Sequence, residues 1–153
     1  MASKPLPRVS VCLLTYNRAH LLAPTLDSLL AQSHGDFELI INDNHSPDHT
    51  EEVCRRYEKL DPRVRYFRNP VNVYFAGNQN AAVLRSSEEY IALVHDGDIY
   101  RTDLLEKWTG TLVAEPTAAI VFNTLDRLDV HGRVFGQYRH PYAQLTPGLT
   151  TFD

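Results

Sequence analysis

The sequence predicts an α/β fold: a mainly parallel, Rossmann-like sheet with helices on both faces, followed by a C-terminal β-hairpin. Three observations carry that expectation. Short apolar runs alternate with helical periodicities in a β-α-β-α-β-α-β-α-β order up to residue 124, which implies right-handed crossovers and parallel strands. The first run, Val-Ser-Val-Cys-Leu-Leu-Thr (9–15), is nearly continuous, as expected of a central strand covered on both sides. Three polar clusters follow apolar runs, at the edge where open α/β sheets bind ligands.

Each element has its own signal. After Val9–Thr15, residues 20–33 place Leu22, Leu26, Leu29 and Leu30 on one helical face, and Pro24 is tolerable there only in a first turn. Phe37–Ile41 reads as a second buried strand. Thr50–Leu60 reads as a helix striped by Val53, Tyr57 and Leu60, with start signals in Ser46-Pro47-Asp48. Val64–Phe67 is a short third strand. Asn78–Ser86 is a helix carrying Ala81, Ala82 and Leu84, and Tyr90–Val94 is the fourth strand. Thr102–Ala114 is a helix with Thr102 as N-cap, and Ala118–Phe122 a fifth strand. Leu125–Val130 and Arg133–Tyr138, separated by His131-Gly132, form a hairpin. The organisation expected is a tail (1–7), an α/β domain (8–124), and a hairpin with the start of a further region (125–153).

Composition bounds the function. A chain of 153 residues fits one domain with a real core, and 43% hydrophobic with 22% charged residues is ordinary for a globular protein. A net charge of -4 with no basic stripe argues against nucleic acid as a partner. No apolar run is long enough to span a bilayer, and the first residues lack a signal-peptide core. Cys12 and Cys54 are isolated, without metal or disulfide spacing, and read as buried reduced thiols of a cytoplasmic protein.

The polar clusters carry the chemistry. In Asp96-Gly97-Asp98, an extended backbone would point both carboxylates the same way, and two carboxylates held together want a cation between them. The alternative is a polar turn, since Asp and Gly are turn residues. Asp43 ends the second strand; its ionised carboxylate accepts only, which suits a base N–H or a local turn with Asn44 and Ser46. In Thr15-Tyr16-Asn17-Arg18, Tyr16 can lie against a base or pack on the next helix. Thr15 offers a hydroxyl and a backbone donor. Arg18 either neutralises a phosphate or is solvated. Asn78 and Asn80 open a predicted helix, and so favour an anion there or simply cap it. His45 and His49 have a helical metal spacing but fall in a loop, His95 alternates towards a packed face, and His131 sits at the hairpin turn.

These pieces, Val-Ser-Val-Cys-Leu-Leu-Thr-Tyr-Asn-Arg (9–18), Leu-Leu-Ala-Gln-Ser (29–33), Phe-Glu-Leu-Ile-Ile-Asn-Asp-Asn (37–44) and Tyr-Ile-Ala-Leu-Val-His-Asp-Gly-Asp (90–98), stand in an order that resembles glycosyltransferase family 2. The resemblance covers most of residues 8–124. It implies the GT-A fold, a nucleotide-sugar donor (a UDP-sugar before others), Mg²⁺ or Mn²⁺, and transfer to a saccharide or other hydroxyl acceptor. By the same resemblance, Thr15, Tyr16, Asn17, Arg18, Asp43, Asn80 and Asp96 would bind nucleotide, with Asp43 on the base, and Asp96 and Asp98 would hold the metal. Where the family carries a glycine after an upstream Asn, this chain has Tyr74, and where many members carry a third Asp, it has Gly97.

The family's catalytic base lies in an acceptor half beyond the matched region, so no base is named. The expectation is a donor half that binds donor but transfers sugar poorly, with self-association through the surface an acceptor half would cover. A non-catalytic nucleotide-sugar binding module is the rival reading. A nucleotidyltransferase ranks last, because Leu14–Leu21 contains no glycine to cradle a triphosphate.

Overall fold

All seven residues of Val9–Thr15 (β1) are buried, because β1 lies in the interior of the sheet with helices over both faces. The computed structural model describes residues 5–129 and 131–138. The chain divides into two compact units, Met1–Thr109 and Gly110–Asp153.

In the first unit, β1 is followed by Ala19–Leu30 (α1), Phe37–Asp43 (β2), Thr50–Leu60 (α2), Val64–Arg68 (β3), Tyr74–Leu84 (α3), Tyr90–His95 (β4) and the start of Leu104–Ala114 (α4). The four strands form one parallel sheet in the order β3-β2-β1-β4. One face carries the main core. Val11 and Leu13 of β1, Leu39 and Ile41 of β2 and Val94 of β4 meet Leu22, Leu26 and Leu29 of α1, Cys54 and Tyr57 of α2, and Leu105 of α4. On the other face, Ala82 of α3 meets Cys12, Leu14 and Ile40. Phe67 of β3 packs against this cluster, and no residue of β4 belongs to it. Ile91 and Leu93, on the same face of β4, therefore stay 40% and 38% exposed. Burial pushes the Cys54 thiol up to about 12 and raises the Cys12 thiol, so both are unreactive at neutral pH.

Several expectations shift. Helix α1 begins at Ala19, which puts Pro24 sixth in the helix; Pro24 is exposed, so the backbone bond it lacks falls on the solvent side. Strand β2 runs two residues further, to Asp43. Helix α3 starts at Tyr74, four residues before the expected Asn78. Gly77, inside this helix, makes room for Val73 by lacking a side chain: a Cβ there would lie 2.9 Å from the Val73 Cβ. Helix α4 starts at Leu104, two residues after Thr102.

In the second unit, the expected strand Ala118–Phe122 is absent among the described residues, and the sheet has four strands rather than five. The chain leaves α4 through a turn closed by the Ala118 N–H on the Glu115 carbonyl at 2.9 Å. An apolar run becomes a strand only by joining a ladder, and no described ladder includes this one. The hairpin expectation holds as an antiparallel pair, Leu125–Leu128 (β5) with Val134–Tyr138 (β6). The Asp129 carboxylate accepts the His131 and Arg133 N–H groups, at 2.8 and 2.9 Å, and Gly132 takes φ +76°. Val130 and residues 139–153 lie outside the described residues. Among the described residues, no helix is long and apolar enough to cross a membrane.

Candidate functional site

Three strands of the sheet end level. Thr15 pairs with Asp43 and Leu14 with His95, and the Asp96 N–H still reaches the Leu14 carbonyl at 3.3 Å. Above these ends lies an open cleft of about 340 Å³ in the first unit. It is lined by Leu14 and Thr15 at the end of β1 with Tyr16 and Arg18 beyond it, Asn44 after β2, Asn72, Tyr74, Phe75 and Asn78 around the start of α3, and His95 at the end of β4 with Asp96 beyond it. A hollow of about 450 Å³ lies on the outer face of α2, lined by Glu52, Val53, Arg55, Arg56, Lys59 and Leu60. It touches no strand end, and so the rim cleft is the candidate.

Thr15 supplies the most direct sign of a ligand. Thr15 is 2% exposed and lines the cleft, and its hydroxyl is buried with no hydrogen-bond partner. A buried hydroxyl without a partner is costly, and a bound molecule would relieve that cost. Beyond it, the chain is held tightly. The Tyr16 N–H donates to Asp96 Oδ2 at 3.3 Å. Asn17 takes φ +54°, which Asn tolerates, and its N–H donates to Ser46 Oγ at 2.8 Å. Arg18 Nε stands 3.8 Å from Asp96 Oδ1, a loose pair that leaves the guanidinium half exposed. Asp48 ties the next helices together: its carboxylate accepts from the Ala19 N–H of α1 and from the Thr50 N–H and hydroxyl of α2.

The acidic triplet departs from its expected geometry. Strand β4 ends at His95, and Asp96-Gly97 is a turn with Gly97 at φ +87°, so no extended backbone aligns the two carboxylates. Helix α1 fixes the turn instead. Thr25 Oγ1 accepts the Gly97 N–H at 3.1 Å and donates to the Asp98 carbonyl at 2.8 Å. Ser28 Oγ accepts the Tyr100 N–H, while Gln32 donates to the Arg101 carbonyl and accepts the Leu105 N–H. Thr25 and Ser28 sit at i and i+3 on one side of α1, and Gln32 follows just past its C-terminal end. Tyr100 closes the turn by bonding both the N–H and the carbonyl of His95. Burial, with Asp98 and Asp96 nearby, holds its phenol well above the ordinary range. The side chain of Asp96 is largely buried; Asp98 is exposed.

Asp43 lies at the rim, but its carboxylate is fully buried and engaged. Ser46 donates both its N–H and its hydroxyl to Oδ1, Tyr66 donates its hydroxyl to Oδ2 at 2.8 Å, and Arg68 Nε stands 3.6 Å away. Asn78 is buried in a network of asparagines. Asn42 donates to Asn78 Oδ1 at 2.6 Å, and Asn69 donates to it at 2.9 Å. Asn44 joins through Asn69 and Asn72, and Arg85 reaches Asn42. Asn80 is exposed in mid-helix and does not line the cleft. His95, expected in the core, is exposed at the cleft and stacks on Phe75 with ring centroids 5.6 Å apart.

Sequence reasoning missed the asparagine network and the contacts of Thr25, Ser28 and Gln32. The sign of those contacts was polar residues at 25, 28 and 32 beside buried leucines at 22, 26 and 29. The network had no local sign, because its members come from four separate segments.

As a metal centre, the donors would be the carboxylates of Asp96, which lines the cleft, and Asp98, which is not part of its lining. No group of three or more His, Cys, Asp or Glu side chains gathers among the described residues. A hard divalent cation that keeps several water or phosphate oxygens fits such a sparse, all-oxygen set.

The family model described as glycosyl transferase family 2 matches residues 10–151. A glycosyltransferase assigned to teichuronic acid biosynthesis in Bacillus subtilis, TuaG, is 31% identical over 140 residues, 92% of this chain and 55% of that protein. The GalNAc(5)-diNAcBac-PP-undecaprenol beta-1,3-glucosyltransferase of Campylobacter jejuni is 33% identical over 94 residues, 61% of this chain and 30% of that protein. This chain thus spans about half or less of these relatives' lengths. Among solved structures, the mannosyltransferase PcManGT of Pyrobaculum calidifontis, in complex with GDP-Man and Mn²⁺, superposes with a TM-score of 0.69 at 25% identity. That match covers 74% of this chain and 34% of the other. TarS of S. aureus, in complex with UDP-GlcNAc, gives 0.65 at 20% identity, over 71% and 32%.

Proposed function

This chain belongs to glycosyltransferase family 2, and from that premise we propose that its rim cleft binds the nucleoside diphosphate part of a nucleotide-sugar donor. The observation that carries the reading is the buried, unpartnered hydroxyl of Thr15, a residue that lines one cleft with Asp96 and Arg18 at the level ends of three parallel strands. Thr15 and the Tyr16–Arg18 loop contact the nucleotide, with Tyr16 against the base and Arg18 free to move from Asp96 to a phosphate. Asp96 and Asp98 hold Mg²⁺ or Mn²⁺, which when bound supplies Lewis-acid stabilisation of the nucleoside diphosphate leaving group.

Asp43 acts at one remove in this reading. It fixes Ser46, whose hydroxyl receives the Asn17 N–H, and so sets the path of the nucleotide loop. Asn80 takes no part. Uridine is favoured over guanosine through the family resemblance. The whole protein transfers the sugar to a hydroxyl of a saccharide or other acceptor, and we assign its catalytic base to no residue.

Thermal melts with UDP, GDP and dTDP, each with and without Mn²⁺, test the donor site. A ligand that binds the folded state raises the midpoint with the logarithm of its saturation. A metal-dependent rise with one nucleotide, lost in Asp98→Ala, is the expected result. No rise with any of them would refute the reading.

A further inference from the structure

Tyr74, the first residue of α3, adopts φ +60°. For a bulky residue this left-handed backbone is strained, and glycine would adopt it freely. Two asparagine side chains hold it there. Asn72 Oδ1 accepts the Tyr74 N–H at 2.8 Å, and Asn44 Nδ2 donates to the Tyr74 carbonyl at 3.3 Å. Packing does not explain the ring, because Tyr74 is 84% exposed. It lines the rim cleft all the same. The chain thus maintains an unfavourable backbone for a side chain that contributes little burial, a combination found where a side chain serves a ligand.

We propose that Tyr74 is a specificity-determining residue whose ring forms a wall of the cleft and stacks on the base of the bound nucleoside diphosphate. The proposal rests on the donor-site reading above. The ring is uncharged and planar, so it suits the planar part of the ligand rather than the diphosphate. Its backbone is anchored to Asn44, just past the end of β2, whereas Arg18 and Asp96 meet between the ends of β1 and β4. A ligand with its phosphates at Arg18 and Asp96 reaches Tyr74 with its other end.

The test compares Tyr74→Gly, Tyr74→Asn and Tyr74→Phe with the parent chain. Melting is measured without ligand, and calorimetric titration with Mn²⁺ uses UDP, GDP and inorganic pyrophosphate. Tyr74→Gly is expected to melt about 2–6 °C higher as the strain is relieved. It should bind the preferred nucleotide about tenfold more weakly, the loss of one base–aromatic stack, with pyrophosphate binding unchanged. Tyr74→Asn tolerates the same backbone without a ring and should show the same selective loss, while Tyr74→Phe should match the parent. Undiminished nucleotide binding in Tyr74→Gly, or an equal loss of pyrophosphate, would overturn the role given to Tyr74, as would parental affinity in Tyr74→Asn. A parent chain that binds no nucleotide would instead overturn the donor-site reading itself.

Discussion

The hydroxyl of Tyr66 donates a 2.8 Å hydrogen bond to the Asp43 carboxylate, and both residues are buried. Burial, and then the carboxylate beside it, push the Tyr66 phenol well above its ordinary range, so it stays a donor at any physiological pH. With Ser46 on the other oxygen, Asp43 is a buried structural acceptor at the end of β2. Asp43→Asn is expected to lose about 2–4 kcal/mol of stability in urea denaturation, because the amide nitrogen would face a donor. Unchanged stability would show that Asp43 is free for a ligand after all.

Thr25 connects α1 to the acidic turn through both its donor and its acceptor capacity. Thr25→Val keeps the shape but leaves the Gly97 N–H and the Asp98 carbonyl without this partner, a cost of about 1–3 kcal/mol. Metal-dependent nucleotide binding should weaken with it, while Thr25→Ser should retain both. Equal melting of the Val and Ser variants would count against this role.

Gly97 is needed for its backbone. At φ +87° any other residue is strained, and a Cβ there would come within 3.2 Å of a Leu21 methyl group. Leu21 can shift, so the backbone term dominates. Gly97→Ala should cost about 1–3 kcal/mol by chemical denaturation and reduce the Mn²⁺-dependent shift with nucleotide.

Glu38 gives the fold a defined acid sensitivity. It is 4% exposed. Burial alone would raise its pKa. Hydrogen bonds from Ser10, from the Ser87 N–H and hydroxyl, and from Arg65 outweigh burial and lower it from 4.5 to about 2. The folded state therefore binds this proton less readily than the unfolded chain. Its contribution, of order 3 kcal/mol, is complete above about pH 4.5 and is lost as pH falls towards 2. Urea midpoints between pH 6 and 2.5 should fall less steeply for Glu38→Gln than for the parent. Parallel slopes would refute the assignment.

The sheet was legible because its strands are short apolar runs bounded by polar residues. The bounds of Thr50–Leu60 matched to the residue, but its buried face is Thr50, Cys54 and Tyr57, and Leu60 of the expected stripe is exposed. The early start of α3 was not legible, because Tyr74 opens it with a left-handed backbone held in part by Asn44, which is distant in sequence. Ala118–Phe122 misled for a related reason: apolarity marks what can join a ladder, and only a neighbouring strand decides whether it does. At the site, Thr15, Tyr16, Arg18 and Asp96 do line one cleft, as their strand-end positions implied. The local turn of Asp43 with Ser46 was legible, but the full burial of Asp43 was not, because Tyr66 and Arg68 of β3 come to it from a distant segment.

The interior place of β1 also has a consequence in time. Its pairing with β4 joins residues about eighty positions apart, and half of the rim cleft comes from that late strand and the loops around α3. A chain emerging from the ribosome can assemble β1, α1, β2 and α2 early, but β1 keeps one bare edge until β4 arrives. On the donor-site proposal, nucleotide therefore cannot guide the early steps of assembly. It can only secure a chain whose sheet is already closed.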